Sequence, residues 1–386
     1  MIPKAEADVI VIGAGLQGCS TALYLARAGQ RVIVFDKDTA GRHASGVNAG
    51  GVRRLFRAVE EIPLSLAASE IWPDMRTLVG SDCGFKPSGQ VKIAENDADM
   101  QKLAVREAKV RSLGYTHEVL IDRQALRLMV PAVSDHCAGA LICRGDGFAE
   151  PFATVRAFRN KAIELGVAIH EKHPVTALAH TGNSWHVQAG GRTYAAQVIV
   201  NCAGAWGGRI AAMIGDSAPL TPVALTMMVT ARSAHFLDPV VGLTSRQLSF
   251  KQMNNGTVVI GGGHLSKLDM AAGRTEIDFS AMAVSAQTAI DIFPLMQNVP
   301  AVRCWAGIEG IMPDNLPVIG PGRASSGAYH AFGFSAHGFQ LSPIIGKIMT
   351  ELIIEGKSRL PIHAFRIDRF DPSDGLPLDS DIVIST

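Results

Sequence analysis

The chain has 386 residues, 36 Lys and Arg against 35 Asp and Glu, with 47% hydrophobic and 18% charged residues. That composition excludes a disordered or fibrous protein, and at roughly 100–200 residues per domain the length allows two or three folding units. A net charge of +1 without any block of like charges excludes the long-range field of a nucleic-acid or anionic-membrane binder, so a small ligand is expected.

In chain order, residues 8–12 predict a buried strand, the glycines after them a turn, the stretch up to Gly29 a helix and residues 30–36 a second strand: a βαβ unit. Residues 85–94 predict a strand pair around Pro87 and Gly89. Residues 97–113 predict an amphipathic helix with an apolar stripe at Met100, Leu103, Ala104 and Val110. The helix-then-strand rhythm returns at 151–166 and 167–171. Short alternating strands follow near 175–178, 185–188 and 198–201, so the first unit is interrupted and then resumed. β character dominates 222–264, residues 280–293 read as helix, and a last helix over 338–355 precedes a proline-bearing tail after Pro361. There is no internal repeat and no low-complexity segment.

The six cysteines, at 19, 83, 137, 143, 202 and 304, form no CxxC pair, so neither a disulfide framework nor a metal or iron–sulfur site is expected. Residues 1–7 are too short and polar for a signal peptide, and no stretch reaches 18 uninterrupted apolar residues. The expectation is a cytoplasmic protein without a transmembrane segment, with peripheral contact at the inner face of a membrane left open.

Gly13, Gly15 and Gly18 form a GxGxxG turn, together with Ala14, Leu16 and Gln17, between the first strand and its helix. The first glycine permits the tight turn, the second lets a pyrophosphate approach the backbone, and the third lets helix pack on strand. The helix N-terminus offers free N–H groups to the phosphates. Asp36, followed by Lys37, ends the second strand and places a carboxylate for ribose hydroxyls, so a dinucleotide is expected. The run from Gly41 to Arg53 then holds Ala44, Ser45, Asn48, Ala49, Gly50 and Gly51, small residues that let backbone lie against a flat ring.

At this run the sequence resembles the glycine oxidase, sarcosine oxidase and D-amino acid oxidase family of flavoproteins. Three further segments match in order: Val198 to Trp206, with Cys202, Ala203, Gly204 and Trp206; Trp305 to Gly320; and Gly333 to Pro343, with Gly333, Phe334, Ser335, Ala336, Gly338, Phe339 and Gln340. The resemblance implies FAD bound by these residues, with Val175 as a backbone contact on the adenine side. It also implies that the helix starting at Gly338 points its dipole at the electron-accepting edge of the flavin.

Several freestanding members of that family carry a carboxylate-clamping arginine where this chain has Glu309. Another cation must then meet a substrate carboxylate, and Arg53, Arg54, Arg246, Lys251 and Arg303 are the candidates; alternatively, the substrate presents its ammonium to Glu309. Some members place an oxygen-activating lysine at a position matching Gln340. His337, flanked by Gly338, is a candidate for positioning the substrate or shifting its protonation. Catalytic expectations therefore fall on His337, Glu309 and Arg53. His43 and Cys304 stand near points where some relatives attach a flavin, while His170, His173, His180 and His264 read as structural. No metal site is expected.

The expected fold is α/β, a Rossmann-like FAD-binding domain interleaved with a substrate domain built on a mixed β-sheet. The FAD-binding domain takes residues 1–84, 148–218 and 311–386, and the substrate domain 85–147 and 219–310. The expected reaction moves a hydride from the carbon beside an amine of an amino acid, N-substituted or cyclic, to FAD N5, leaving an imine that water hydrolyses. The Ile-Glu-Gly and His-Gly-Phe-Gln versions of the motifs resemble β subunits of heteromeric amine dehydrogenases of the sarcosine oxidase, hydroxyproline dehydrogenase and opine oxidase type. That implies α- or γ-type partner subunits carrying further redox cofactors. A self-sufficient oxidase making hydrogen peroxide, a flavin-binding structural subunit and an NAD-dependent dehydrogenase remain the alternatives.

Overall fold

The computed structural model describes residues 6–370. Residues 1–5 and the part of the tail beyond 370, which the sequence assigns to the ends of the FAD-binding domain, lie outside the described residues. Strand β1 (Val9–Ile12), helix α1 (Leu16–Arg27) and strand β2 (Val32–Phe35) form the unit read from the sequence. β1 is apolar at every position because both its faces are covered: it runs parallel to β2 on one side and to Val198–Asn201 on the other. The sheet runs Val318–Pro321, Ala328–Phe332, Val198–Asn201, β1, β2, Ala168–His170, parallel throughout except at its Val318–Pro321 edge.

One face is covered by α1, Pro151–Glu164 and the long helix Gly338–Glu355, through Leu23, Phe158, Ile344, Ile345 and Ile348. The other is covered by a three-stranded antiparallel sheet and the helix Gly207–Ile214, through Ile10, Phe35, Trp185, Val187 and Ile210.

The second sheet has ten strands and is antiparallel except where Val240–Leu243 runs parallel to Gln90–Ala94. Its two longest strands, Thr221–Thr230 and Ala301–Ile311, pair along their whole length. Side chains alternate across it. Val91, Ile93, Val241, Phe250, Met228 and Ile260 point to an apolar core shared with the helix Phe279–Ile292. Gln90, Lys92, Gly242, Ser249, Met227, Gly307 and Glu309 fall on the opposite face, which lines a cavity against the first sheet. A short ladder, Gly51–Val52 with Gly147–Phe148, ties the two regions together.

The strand pair expected over 85–94 is a single strand, Gln90–Ala94, entered by a loop. Lys86 in that loop bridges across to Phe148, so Pro87, which lacks an N–H, sits outside any continuous ladder. The strand Arg192–Ala196 has no counterpart in the sequence reading. The amphipathic helix Asp97–Ser112 buries Leu103 and Val110 as expected. Five of the six cysteines are buried and all are free thiols.

Candidate functional site

One cavity of about 580 Å³ runs from the C-terminal ends of β1 and β2 to the open face of the ten-stranded sheet. That is where α/β sheets place ligands. At the first end the glycine turn is set by sterics. Gly13 has φ +107°, and a Cβ there would lie 2.4 Å from the Cys202 carbonyl oxygen; at Gly18 a Cβ would lie 1.8 Å from the Gly13 carbonyl oxygen. Gly15 caps α1, whose first N–H, on Leu16, donates to Ser45 Oγ at 3.0 Å. Asp36 is locked at the tip of β2, accepting from the Ala14 N–H at 2.7 Å and the Asp38 N–H at 2.8 Å. Burial raises its pKa, against the pull of these two bonds. Lys37 lies over the Trp206 ring at 4.0 Å, and His43 packs on the same ring and hydrogen-bonds Asp38 at 2.7 Å. Val175, Ala203 and Gly204 complete this end.

In the middle, Ala44, Ser45, Asn48, Ala49, Gly50 and Gly51 form a floor. Asn48 fixes it, its amide donating to the Ala44 and Ser45 carbonyls at 2.9 Å while its oxygen accepts from the Gly50 N–H at 2.7 Å. Facing it are Gly333, Phe334, Ala336, His337, Gly338 and Phe339 at the N-terminus of the helix Gly338–Glu355. Gln17 from α1 donates to the Gly338 carbonyl at 2.8 Å, which binds the two helix starts together. Two helix N-termini thus open on one elongated cavity, one beside a glycine cradle that no side chain can enter. A fixed carboxylate closes its far end. That arrangement fits FAD: the α1 terminus for the pyrophosphate, Asp36 for the ribose, the second terminus for the electron-rich edge of the reduced ring.

Ala14, Gly18, Ser335 and Gln340, assigned to cofactor contact from sequence, stand behind this wall. Ala14 and Gly18 shape the turn. Ser335 accepts from the Met312 N–H at 3.0 Å, and with Ala336 it adopts a left-handed backbone, φ +48° and +65°. These two strained residues turn the loop against the strand Ala301–Ile311. Gln340 is fully buried; it accepts from Arg57 at 3.2 Å, and its backbone carbonyl takes the Trp72 indole N–H at 2.8 Å.

The other end of the cavity is charged. Glu309 reaches it from its strand, accepting from the Ala336 N–H, and burial pushes its carboxyl up to about 7. His337, 3% exposed, hydrogen-bonds Glu61 through Nδ1 at 2.9 Å. Burial, with Arg53 and Arg57 nearby, pushes its pKa down, so it is a neutral donor to that carboxylate. Burial works against the Glu61 anion too, but the Arg57 and Arg53 guanidiniums around it and the hydrogen bond from His337 hold its carboxyl below the usual carboxylate range. Arg57, 1% exposed, lies 3.7 Å from Glu61 and donates to the His337 carbonyl at 3.1 Å. Arg53 donates to the Leu55 carbonyl at 2.9 Å, and burial together with Arg57 lowers it to about 10.

Of the five cations proposed for a carboxylate, Arg53 alone lines the cavity. Arg54 is held by Asp146 at 2.9 Å, Arg246 by Glu95 and Asp291, and Arg303 is exposed on its strand. Lys251 is buried behind the floor, 4.5 Å from the Phe148 ring centre. Cys304 packs on the apolar face with Met228 and points away from the cavity, which removes it as a flavin attachment point; His43 does line it. The sequence reading missed Arg57, Glu61 and Lys92. Lys92 had a signal, a polar residue at period two between Val91 and Ile93; Arg57 and Glu61 carried only an i,i+4 spacing that any surface helix shares.

Residues 8–352 match the family described as FAD dependent oxidoreductase. An opine oxidase subunit of Rhizobium meliloti is 26% identical over 380 residues, covering 95% of this chain and 98% of its own. Hydrogen cyanide synthase subunit HcnC of Pseudomonas aeruginosa is 27% identical over 413 residues, covering 95% and 96%. The crystal structure of L-proline dehydrogenase from P. horikoshii superposes with a TM-score of 0.89 at 24% identity, over 96% of this chain and 99% of that one.

Proposed function

The chain belongs to the FAD dependent oxidoreductase family, and from that premise we propose that it oxidises the carbon beside the amine of an amino acid, N-substituted or cyclic, as the catalytic subunit of a multi-subunit dehydrogenase. FAD would supply the hydride acceptor, N5 of its ring, and this chain's residues bind and orient the substrate and take its proton. The observation that carries the reading is Glu309. Its carboxyl titrates near 7 on the cavity wall beside the strained 334–337 loop, where it can take the proton of a substrate ammonium and leave the neutral amine that oxidation requires. Arg53, in the same cavity, holds the substrate carboxylate. His337, fixed by Glu61, positions the substrate between them without bringing a second charge. The resulting imine leaves to water.

The subunit role is supported by two relatives whose names describe subunits of larger enzymes. It is supported too by Gln340, whose side chain accepts from Arg57 and donates to the Ser65 carbonyl where some freestanding oxidases carry a lysine. The test is an anaerobic titration of the purified yellow protein with proline, hydroxyproline, sarcosine, glycine, D-amino acids and opines, followed by air. Bleaching that air reverses slowly supports a dehydrogenase subunit. Rapid recolouring with peroxide makes it a self-sufficient oxidase, and no bleaching by any amine while dithionite bleaches fully sinks the amine reading.

A further inference from the structure

Lys92 stands outside everything assigned so far, yet it is 7% exposed and lines the cavity. The register of the ten-stranded sheet locates it. Lys92 pairs with Gly242, Gly242 with Ser249, Ser249 with Gly261; Ile260 pairs with Met228, so Gly261 lies beside Met227, which pairs with Trp305. That row crosses five strand-to-strand steps on the cavity face. Glu309 lies on the same face, four residues along the strand from Trp305. At about 4.8 Å per strand step the two backbones are on the order of 20 Å apart even across a twisted sheet. The two side chains close only part of that span.

Arg53 stands between them, near enough to shift both His337 at the Glu309 end and Lys92 at the other. An α-amino acid carries its ammonium and carboxylate on one carbon. With its amine at Glu309 and its carboxylate turned towards Arg53, as proposed above, such a substrate leaves Lys92 unused.

The Lys92 end is also rich in positive charge. Arg53, Arg54, Lys92 and Arg106 gather with two carboxylates, Glu118 and Asp146. Lys92 Nζ and the Arg106 guanidinium both lie over the Phe56 ring, at 4.4 Å and 5.2 Å. Arg106 is turned to Glu118 by a bidentate pair at 2.8 Å, whereas Lys92 belongs to the cavity wall. Burial, with the Arg53 and Arg106 guanidiniums beside it, pushes the Lys92 ammonium down to about 7, so an anion bound against it would restore its charge, and low polarity strengthens that attraction.

We propose that Lys92 forms a second anion subsite, so that the substrate is an amino acid bearing a further carboxylate remote from the oxidised C–N bond. An N-carboxyalkyl amino acid or a dicarboxylic amino acid has that shape. This rests on the amine-oxidation reading above and narrows its substrate.

The test compares matched pairs on the holoprotein: N-carboxymethyl against N-ethyl derivatives of one amino acid, and glutamate against glutamine, in both enantiomers, by anaerobic flavin reduction. The second carboxylate is expected to lower the half-saturating concentration at least tenfold. Lys92→Met is expected to shrink that ratio tenfold or more, and Lys92→Arg to restore most of it. A binding readout runs alongside, glutarate titrated against the oxidised flavin spectrum, where Lys92→Met is expected to raise the dissociation constant at least tenfold. Equal reduction by both members of each pair overturns the subsite and leaves the amine reading standing. A Lys92→Met protein that keeps its flavin and the full ratio overturns it as well. Reduction by no amine at all overturns both.

Discussion

The two ends of the cavity are built on opposite principles. The nucleotide end is mostly backbone: a glycine turn, a helix terminus, carbonyls and N–H groups, with Asp36 locked at the tip of β2. The other end is side chains, with Arg53, Arg57, Glu61, Lys92, Glu309 and His337 arriving from separate stretches of chain. Backbone sites are enforced by sterics and tolerate no added atom, whereas charged sites are enforced by mutual electrostatics and fail when one partner is removed. The first kind suits a cofactor held by every member of a family, the second a substrate that differs between them.

The sharpest break between the two is expected at Gly13. Gly13→Ala puts a methyl 2.4 Å from the Cys202 carbonyl in a left-handed conformation, at a cost above ~3 kcal/mol. The purified protein should be colourless, with the 450 nm to 280 nm absorbance ratio down at least tenfold; normal flavin content would show that the turn does not hold FAD. Glu61→Ala comes next, leaving Arg57 buried beside a missing carboxylate, for a loss of about 3–5 kcal/mol in thermal or denaturant unfolding. A loss under ~1 kcal/mol would mean the cluster is not the structural unit described.

Glu309→Gln separates the ends most cleanly. Flavin content should be unchanged while the rate of flavin reduction by substrate falls about 100-fold, and unaltered steady-state kinetics would remove Glu309 from the chemistry. The same residue gives a pH signature in the flavin-free protein. Its folded pKa, about 7, lies above the ordinary 4.5, so the folded state binds the proton more tightly. Stability contributed by Glu309 is therefore full below pH 4.5, is lost as pH rises towards 7, and is flat above, by at most about 3 kcal/mol. Subtracting the Glu309→Gln unfolding curve isolates this slope, and coincident curves would refute the raised value.

The smallest expected effect is at Asp36. Asp36→Asn can no longer accept from both the Ala14 and Asp38 N–H groups through charged oxygens, and FAD binding should weaken about tenfold, ~1.4 kcal/mol, by titration of the apoprotein. No change would mean that the carboxylate only caps the turn.

The sequence by itself determined the first βαβ unit, the glycine turn and the helix Gly338–Glu355, and from four ordered motifs the family. All of these are local: period, capping and steric exclusion are written within a few dozen residues. Tertiary structure alone decided which cations line the cavity. Arg246 and Arg303 look no different from Arg53 in the sequence, and only the folded chain gives Arg246 to Glu95 and Asp291 and leaves Arg303 at the surface. Arg57 and Glu61 become a unit because the loop before Gly338, some 280 residues later, brings His337 onto them. Lys92 becomes a wall of the cavity because five strand steps of register put it on the face that carries Glu309. A charge acquires its role from the charges and the dielectric around it, and those are fixed by contacts far apart in the chain.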